Sequence, residues 1–166
     1  MPNTIVTSTQ ITFADLKLAE PLMRAIADSG YTHPTPVQAQ AIPHALAGRD
    51  ILGSAQNGTG KTAAFAIPLV NKLLNSPNGS ARVLTPTREL ARQIMDVMHL
   101  MVGRNNRDIP TAFVIGGESM GKQFAQLRGK PRLIVGTPGR INDHLERKNL
   151  RLDDASFLVL DETDRM

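Results

Sequence analysis

Two clusters of residues in this chain have the types and spacing needed for phosphate chemistry. Ala55-Gln56-Asn57-Gly58-Thr59-Gly60-Lys61-Thr62 has the form of a phosphate-binding loop, with alanine at the first position where glycine is commoner. Its glycines let successive backbone N–H groups curl around phosphate oxygens. A helix opening at Lys61 adds unpaired amides and the positive end of its dipole. Lys61 can then reach the β- and γ-phosphates, and the Thr62 hydroxyl can bind Mg²⁺. The second cluster, Asp161-Glu162-Thr163-Asp164, follows the apolar run Phe157-Leu158-Val159-Leu160. A carboxylate at the end of a buried parallel strand stands where open α/β sheets bind ligands. Asp161 would hold Mg²⁺, directly or through water, opposite Thr62. Glu162 would polarise the attacking water as a general base, which makes the chemistry hydrolysis at the γ-phosphate. Alone, the acidic cluster reads equally as the N-cap of a following helix, and the glycine run as a flexible turn. Together they favour a nucleoside triphosphate with Mg²⁺.

The elements that must position these clusters are legible in the pattern. Helices are expected at Glu20–Ser29, closed by Gly30, and at Val37–Leu46, kinked or interrupted by Pro43. The proline-rich turn His33-Pro34-Thr35-Pro36 lies between them. From residue 50 strands and helices alternate. Strands are expected at Asp50–Ser54, Arg82–Thr85, Thr111–Ile115, Leu133–Val135 and Phe157–Leu160. Helices are expected at Lys61–Leu74, Arg88–Val102, Met120–Leu127 and Arg140–Arg147. The strands are short continuous apolar runs, as in a parallel sheet covered on both faces. Such alternation implies βαβ units and a three-layer α/β fold.

Composition agrees and adds exclusions. The 166 residues suffice for one domain with a core, and aromatics are only 4%, so packing must be aliphatic. No apolar run has the length of a membrane span. Met1–Gln10 lacks a basic start and an apolar stretch and is not expected to act as a secretory signal. The absence of cysteine excludes disulfides and thiolate chemistry, and a cytoplasmic protein is the simplest reading. A net charge of +4, with arginine outnumbering lysine, suits a polyanionic partner, although a mildly basic protein without one has the same charge.

The motifs in order resemble the N-terminal RecA-like domain of the DEAD-box ATP-dependent RNA helicases, from about Phe13 to the last residue. Gly30-Tyr31-Thr32-His33-Pro34-Thr35-Pro36-Val37-Gln38 is similar to that family's Q motif. The resemblance implies that Gln38 reads the adenine edge, Tyr31 stacks on the ring, Thr35 supports the loop and Phe13 is the isolated upstream aromatic. A side-chain amide can pair with a donor and an acceptor of adenine at once. Without the family, a solvent-facing Gln38 and simple packing of Tyr31 and Phe13 would be the better readings. Pro86-Thr87-Arg88-Glu89-Leu90-Ala91 is similar to motif Ia, Gly116-Gly117 to the glycine doublet, and Thr137-Pro138-Gly139-Arg140 to motif Ib. The family implies an RNA-binding surface here that grips the sugar–phosphate backbone with little sequence specificity. Helix N-termini and the forks of Arg88 and Arg140 suit phosphate. Taken singly, Arg88 could instead pair with a neighbouring carboxylate, and Pro138-Gly139 could be an ordinary turn.

The resemblance therefore implies a RecA-like P-loop fold over residues 13–166 after a flexible lead-in over 1–12, with ATP and Mg²⁺ as ligands and RNA as partner. Two departures qualify it. Thr163 stands where the family usually has alanine, and all three carboxylates remain. The family's Ser-Ala-Thr motif and second helicase domain are not in this sequence, so the fold is expected to be incomplete at its C-terminus. The strand between the phosphate-loop strand and the acidic-motif strand would be missing. On that basis the chain alone is expected to unwind no duplex. The competing reading is a non-catalytic nucleotide- or RNA-binding module. A kinase would need an acceptor pocket and lid, and a GTPase usually shows an Asn-Lys-x-Asp pattern; neither is found.

Overall fold

A computed structural model describes residues 11–49, 60–103, 108–153 and 155–161. Residues 1–10 of the expected lead-in (1–12), the strand Asp50–Ser54, most of the phosphate loop (55–59) and residues 162–166 lie outside them. Among the described residues a 3-10 turn, Ala14–Leu16, precedes six α-helices: α1 (Glu20–Asp28), α2 (Pro36–Leu46), α3 (Lys61–Asn75), α4 (Arg88–Val102), α5 (Met120–Arg128) and α6 (Pro138–Glu146). Four strands alternate with them: β1 (Ala81–Leu84), β2 (Thr111–Val114), β3 (Leu133–Gly136) and β4 (Phe157–Leu160). All pair in parallel, in the order β2-β3-β1-β4.

The strand register divides the core in two. Ala81, Val83, Leu133, Val135, Phe157 and Val159 share one sheet face with apolar residues of α1, α2, α3 and α4. Leu84, Ala112, Val114 and Ile134 share the other with Leu127 of α5 and Ile141 of α6. Helices thus flank both faces, giving the expected three layers. No helix among the described residues is long and apolar enough to cross a membrane.

Two expectations need correction. Pro43 does not interrupt α2, which runs unbroken from Pro36 to Leu46. The proline removes a single N–H close to the helix end, where little ladder remains to be lost. Coverage of both sheet faces holds for β1 and β3 but not for β4, where Leu158 and Leu160 are each 51% exposed. Among the described residues, α5 and α6 pack over β1, β2 and β3 and leave that face of β4 open. The expected helix cap at Gly30 is present: Gly30 N–H donates to Ala27 and Tyr31 N–H to Ile26, the paired bonds of a Schellman ending. This ending fixes where Tyr31 leaves α1.

At the sheet end opposite the strand C-termini, one arginine joins several segments. Arg132 Nη2 donates to the carbonyls of Leu73 and Ser76, each at 2.6 Å. Its Nε donates to Gly79 at 2.9 Å and its Nη1 to Asp108 at 2.8 Å. The guanidinium thereby caps the C-terminus of α3, where orphan carbonyls and the helix dipole favour a cation. Arg132→Met should lower unfolding stability by about 2–4 kcal/mol, since charge-assisted bonds to carbonyls contribute more than neutral ones. Arg132→Lys should recover part of the loss. Arg24→Met, which breaks only an exposed pair with Glu20, should cost about 0.5 kcal/mol or less. Urea midpoints at constant m-value measure all three; equal effects for Arg132→Met and Arg24→Met would contradict this account.

Candidate functional site

Parallel pairing sends the C-terminal ends of all four strands to the same sheet edge. After β1 come Thr85 and Pro86-Thr87-Arg88; after β2, Ile115-Gly116-Gly117; after β3, Thr137-Pro138-Gly139-Arg140; after β4, Asp161. The ladder continues one step into these loops. Asp161 N–H donates to Leu84 at 2.8 Å, Thr85 N–H to Gly136 at 3.1 Å and Thr137 N–H to Val114 at 3.1 Å. The loop starts are therefore fixed in a row by backbone bonds. The chain also reverses direction here, passing from β1 out to β2 and back across to β4. Such switch points are where open α/β sheets place ligand crevices.

A cleft of about 360 Å³ opens at this edge, lined among others by Tyr31, Gly60, Lys61, Thr62 and Asp161. Lys61, the first residue of α3, places Nζ 3.0 Å from Asp161 Oδ1. Thr85 Oγ1 donates to Asp161 Oδ2 at 3.4 Å. The ends of β1 and β4 and the start of α3 thus meet around one mostly buried carboxylate. Asp161 and Thr62 supply hard oxygen donors in the same cleft. No cluster of three His, Cys, Asp or Glu side chains occurs among the described residues. That donor set fits Mg²⁺, which is usually held by one or two carboxylates together with substrate phosphates.

The proline-rich turn is built into the phosphate loop. Thr35 caps α2 in a capping box with Gln38: Gln38 N–H donates to Thr35 Oγ1, and Thr35 N–H donates to Gln38 Oε1 at 3.0 Å. Gln38 is fully buried, not solvent-facing, and its Nε2 donates to the carbonyl of Gly60 at 3.1 Å. Gly60 has φ +83°, and a Cβ there would lie 2.5 Å from Gln38 Nε2 and 3.0 Å from Thr35 Oγ1. Both the backbone conformation and the neighbouring side chains therefore require glycine. Phe13 is 4% exposed in the core and does not line the cleft, whereas Tyr31 does. Sequence reasoning missed Leu90, Gln93, Ile94 and Val97 of α4, which form a cleft wall. Their only signal was the helical period that also marks ordinary core.

Along the rest of the edge, two arginines grip the glycine loop from opposite sides. Arg88 Nη1 donates to Gly116 O at 3.3 Å, and among the described residues no carboxylate pairs with Arg88. A side chain at Gly117 would collide with the same Arg88 nitrogen. Arg140 Nη1 donates to Glu118 O at 3.2 Å. Pro138-Gly139 form the first turn of α6 with Arg140, not a separate turn. Thr87 caps α4 by accepting from Leu90 N–H, whereas the Thr137 hydroxyl at the head of α6 makes no capping bond.

The fold and this cleft define a three-layer α/β protein with its crevice at the switch point of a parallel sheet, and comparison narrows it. Residues 35–166 match the family model "DEAD/DEAH box helicase". The chain is 46% identical over 157 residues to the DEAD-box ATP-dependent RNA helicase CshA of Bacillus subtilis, covering 94% of this chain and 31% of that protein. It is 47% identical over 160 residues to the ATP-dependent RNA helicase DeaD of Escherichia coli K12, covering 95% of this chain and 25% of that protein. Klebsiella pneumoniae DeaD is similar at 47% identity, with 24% of its length covered. The chain belongs to the DEAD/DEAH box helicase family. It spans about a quarter to a third of the length of these curated relatives.

Gly60→Ala should weaken nucleotide binding at least about tenfold, because the added carbon must displace Gln38 as well as strain the backbone. Gly48 also has positive φ, at +79°, but nothing lies within 4 Å of its added Cβ. Gly48→Ala should cost only about 1 kcal/mol of stability and leave binding unchanged. Titration with a fluorescent adenine nucleotide, beside thermal melts, separates the two. Equal binding by both variants would contradict the steric account.

Proposed function

We propose that this chain provides the ATP-binding half of an RNA-stimulated ATPase, which in the whole protein drives local separation of RNA duplexes in the cytoplasm. The observation that carries the reading is the Lys61–Asp161 pair at 3.0 Å inside the cleft, at the sheet edge that also carries the three loops expected to meet RNA. ATP phosphates would take Lys61 from Asp161, freeing the carboxylate for a cation. Thr62 and Asp161 would hold Mg²⁺, which when bound offsets the charge of the phosphates. Glu162 would orient and deprotonate the attacking water. Ala55, Gln56, Asn57, Gly58, Thr59 and Gly60 would line the phosphates with backbone N–H groups. Gln38 would meet the adenine edge with the donor and lone pair that its capping box and Gly60 leave over, and Tyr31 would stack on the ring. Phe13 would support this corner from the core.

RNA would lie across Pro86, Thr87 and Arg88, then Gly116 and Gly117, then Thr137, Pro138, Gly139 and Arg140. Arginine forks, helix N-termini and the uncommitted Thr137 hydroxyl suit phosphate and sugar oxygens and read no base. The likeness to proteins named ATP-dependent RNA helicases supports the same assignment.

In the full-length protein, Lys61→Ala and Glu162→Gln should each lower RNA-stimulated ATP turnover by about 10² or more. Glu162→Gln should retain nucleotide binding, whereas Lys61→Ala should weaken it. Steady-state ATPase assays with and without single-stranded RNA check this, and wild-type turnover by either variant would overturn the catalytic assignments.

A further inference from the structure

Between α5 and α6 lies a buried polar chain that the ATP and RNA reading does not use. Gln123 and His144 are almost completely buried. Gln123 Nε2 donates to Ile115 O at 2.8 Å, just before the glycine doublet. Its amide oxygen therefore points the other way, 2.8 Å from His144 Nε2. An oxygen accepts only, so His144 carries its proton on Nε2. His144 Nδ1 is left as an acceptor, and Asn149 Nδ2 lies 3.0 Å from it. Each polar atom of the chain has one consistent role, and the imidazole is neutral. Burial lowers the His144 pKa first and Arg140 lowers it further; Asp143 opposes them, and Arg147 adds to the lowering.

The chain ends on a functional group. Gln123 Oε1 also accepts from Arg140 Nη1 at 3.4 Å. The same nitrogen donates to Glu118 O at 3.2 Å and lies 3.1 Å from Met120 Sδ. Arg140 Nε reaches Asp143 Oδ2 only at 3.9 Å. Among the described residues Nη2 makes no hydrogen bond. One nitrogen of the planar fork is thus held by several acceptors, which sets the plane of the whole group and leaves the other nitrogen to meet a ligand.

We infer that Gln123 and His144 are positioning residues for Arg140: they hold its guanidinium so that Nη2 is presented to a backbone phosphate of a bound single strand. This rests on the proposed RNA surface. A packing role alone would not require the glutamine oxygen to be shared between an imidazole and an arginine. Removing the imidazole proton donor leaves Gln123 Oε1 with only its 3.4 Å contact to Arg140, so the oxygen loses the bond that sets its aim and the fork loses its alignment, although Ile115 still holds Nε2 and Glu118 still holds Nη1.

The test is the salt dependence of binding a single-stranded oligouridylate. Each phosphate contact contributes about 0.7 to the slope of log K against log salt for single strands. Arg140→Gln and His144→Leu should each lower the slope by about 0.7, and the double variant by no more than either alone. His144→Gln places an amide N–H near the Nε2 position and should restore the wild-type slope. If His144→Leu keeps the wild-type slope while Arg140→Gln lowers it, the positioning role is overturned and the RNA surface stands. If Arg140→Gln leaves the slope unchanged, this assignment of Arg140 and the inference built on it both fail. Should His144→Leu not fold, nitrogen-15 NMR of the wild-type imidazole decides the geometry. A proton on Nε2 with bare Nδ1 supports the chain of bonds, and the opposite tautomer overturns it.

Discussion

The pairing of β1 on both of its edges is the interaction on which the rest depends. Ala81–Leu84 is bonded in parallel to β3 on one side and to β4 on the other, and all four residues are buried. Because the strands are parallel, every loop that leaves a C-terminal end emerges on one side of the sheet. Because they are in register, Asp161, Thr85 and Thr137 continue the ladder instead of starting free loops. A one-residue slip of β4 would turn Phe157 and Val159 out of the larger core and move Asp161 away from Lys61. Four short strands thus place a carboxylate and the starts of three polar loops beside the lysine that opens α3.

Helix starts supply the second layer of placement. Thr35, Thr87 and Ser119 accept bonds from the first turns of α2, α4 and α5, which fixes the angle at which each helix leaves its loop. In α2 this cap shares its glutamine with Gly60, so the turn before the helix is bonded directly to the residue that precedes α3. In α4 and α6 the first-turn arginines reach across to the glycine loop. Backbone carbonyls of that loop hold both cations, and Asp143 adds a long ion pair at Arg140.

Much of this was legible in the sequence because it depends on local rules. The apolar four-residue runs gave the strands, and Gly30 gave the end of α1. The order of the polar motifs gave the working edge, since a motif just after a parallel strand has only one edge to occupy. What was not legible depends on tertiary contact. Nothing local distinguishes Gln93 from a surface glutamine of an amphipathic helix, or Gln123 and His144 from solvated residues of α5 and α6. Their burial follows from how those helices sit against β2 and β3. Pro43 misled for a related reason: the local penalty of an interior proline is real, but α2 packs extensively against α3 and survives the loss of one hydrogen bond.

The cations of the edge are all engaged by acceptors inside the protein: Lys61 by Asp161, Arg88 by Gly116, Arg140 by Glu118 and Gln123. At Lys61 and Arg88 an anion must therefore displace or share these contacts, whereas Arg140 keeps Nη2 for it. The displacement is cheap where the contact is exposed, because water already screens it, as at Arg88. It costs more at Lys61, whose partner Asp161 is largely buried and would be left as a lone carboxylate. A cation arriving with the anion removes that penalty. On the proposed reading, binding of a bare polyphosphate would thus be opposed at the Lys61–Asp161 pair, whereas a metal–phosphate complex would be accepted there.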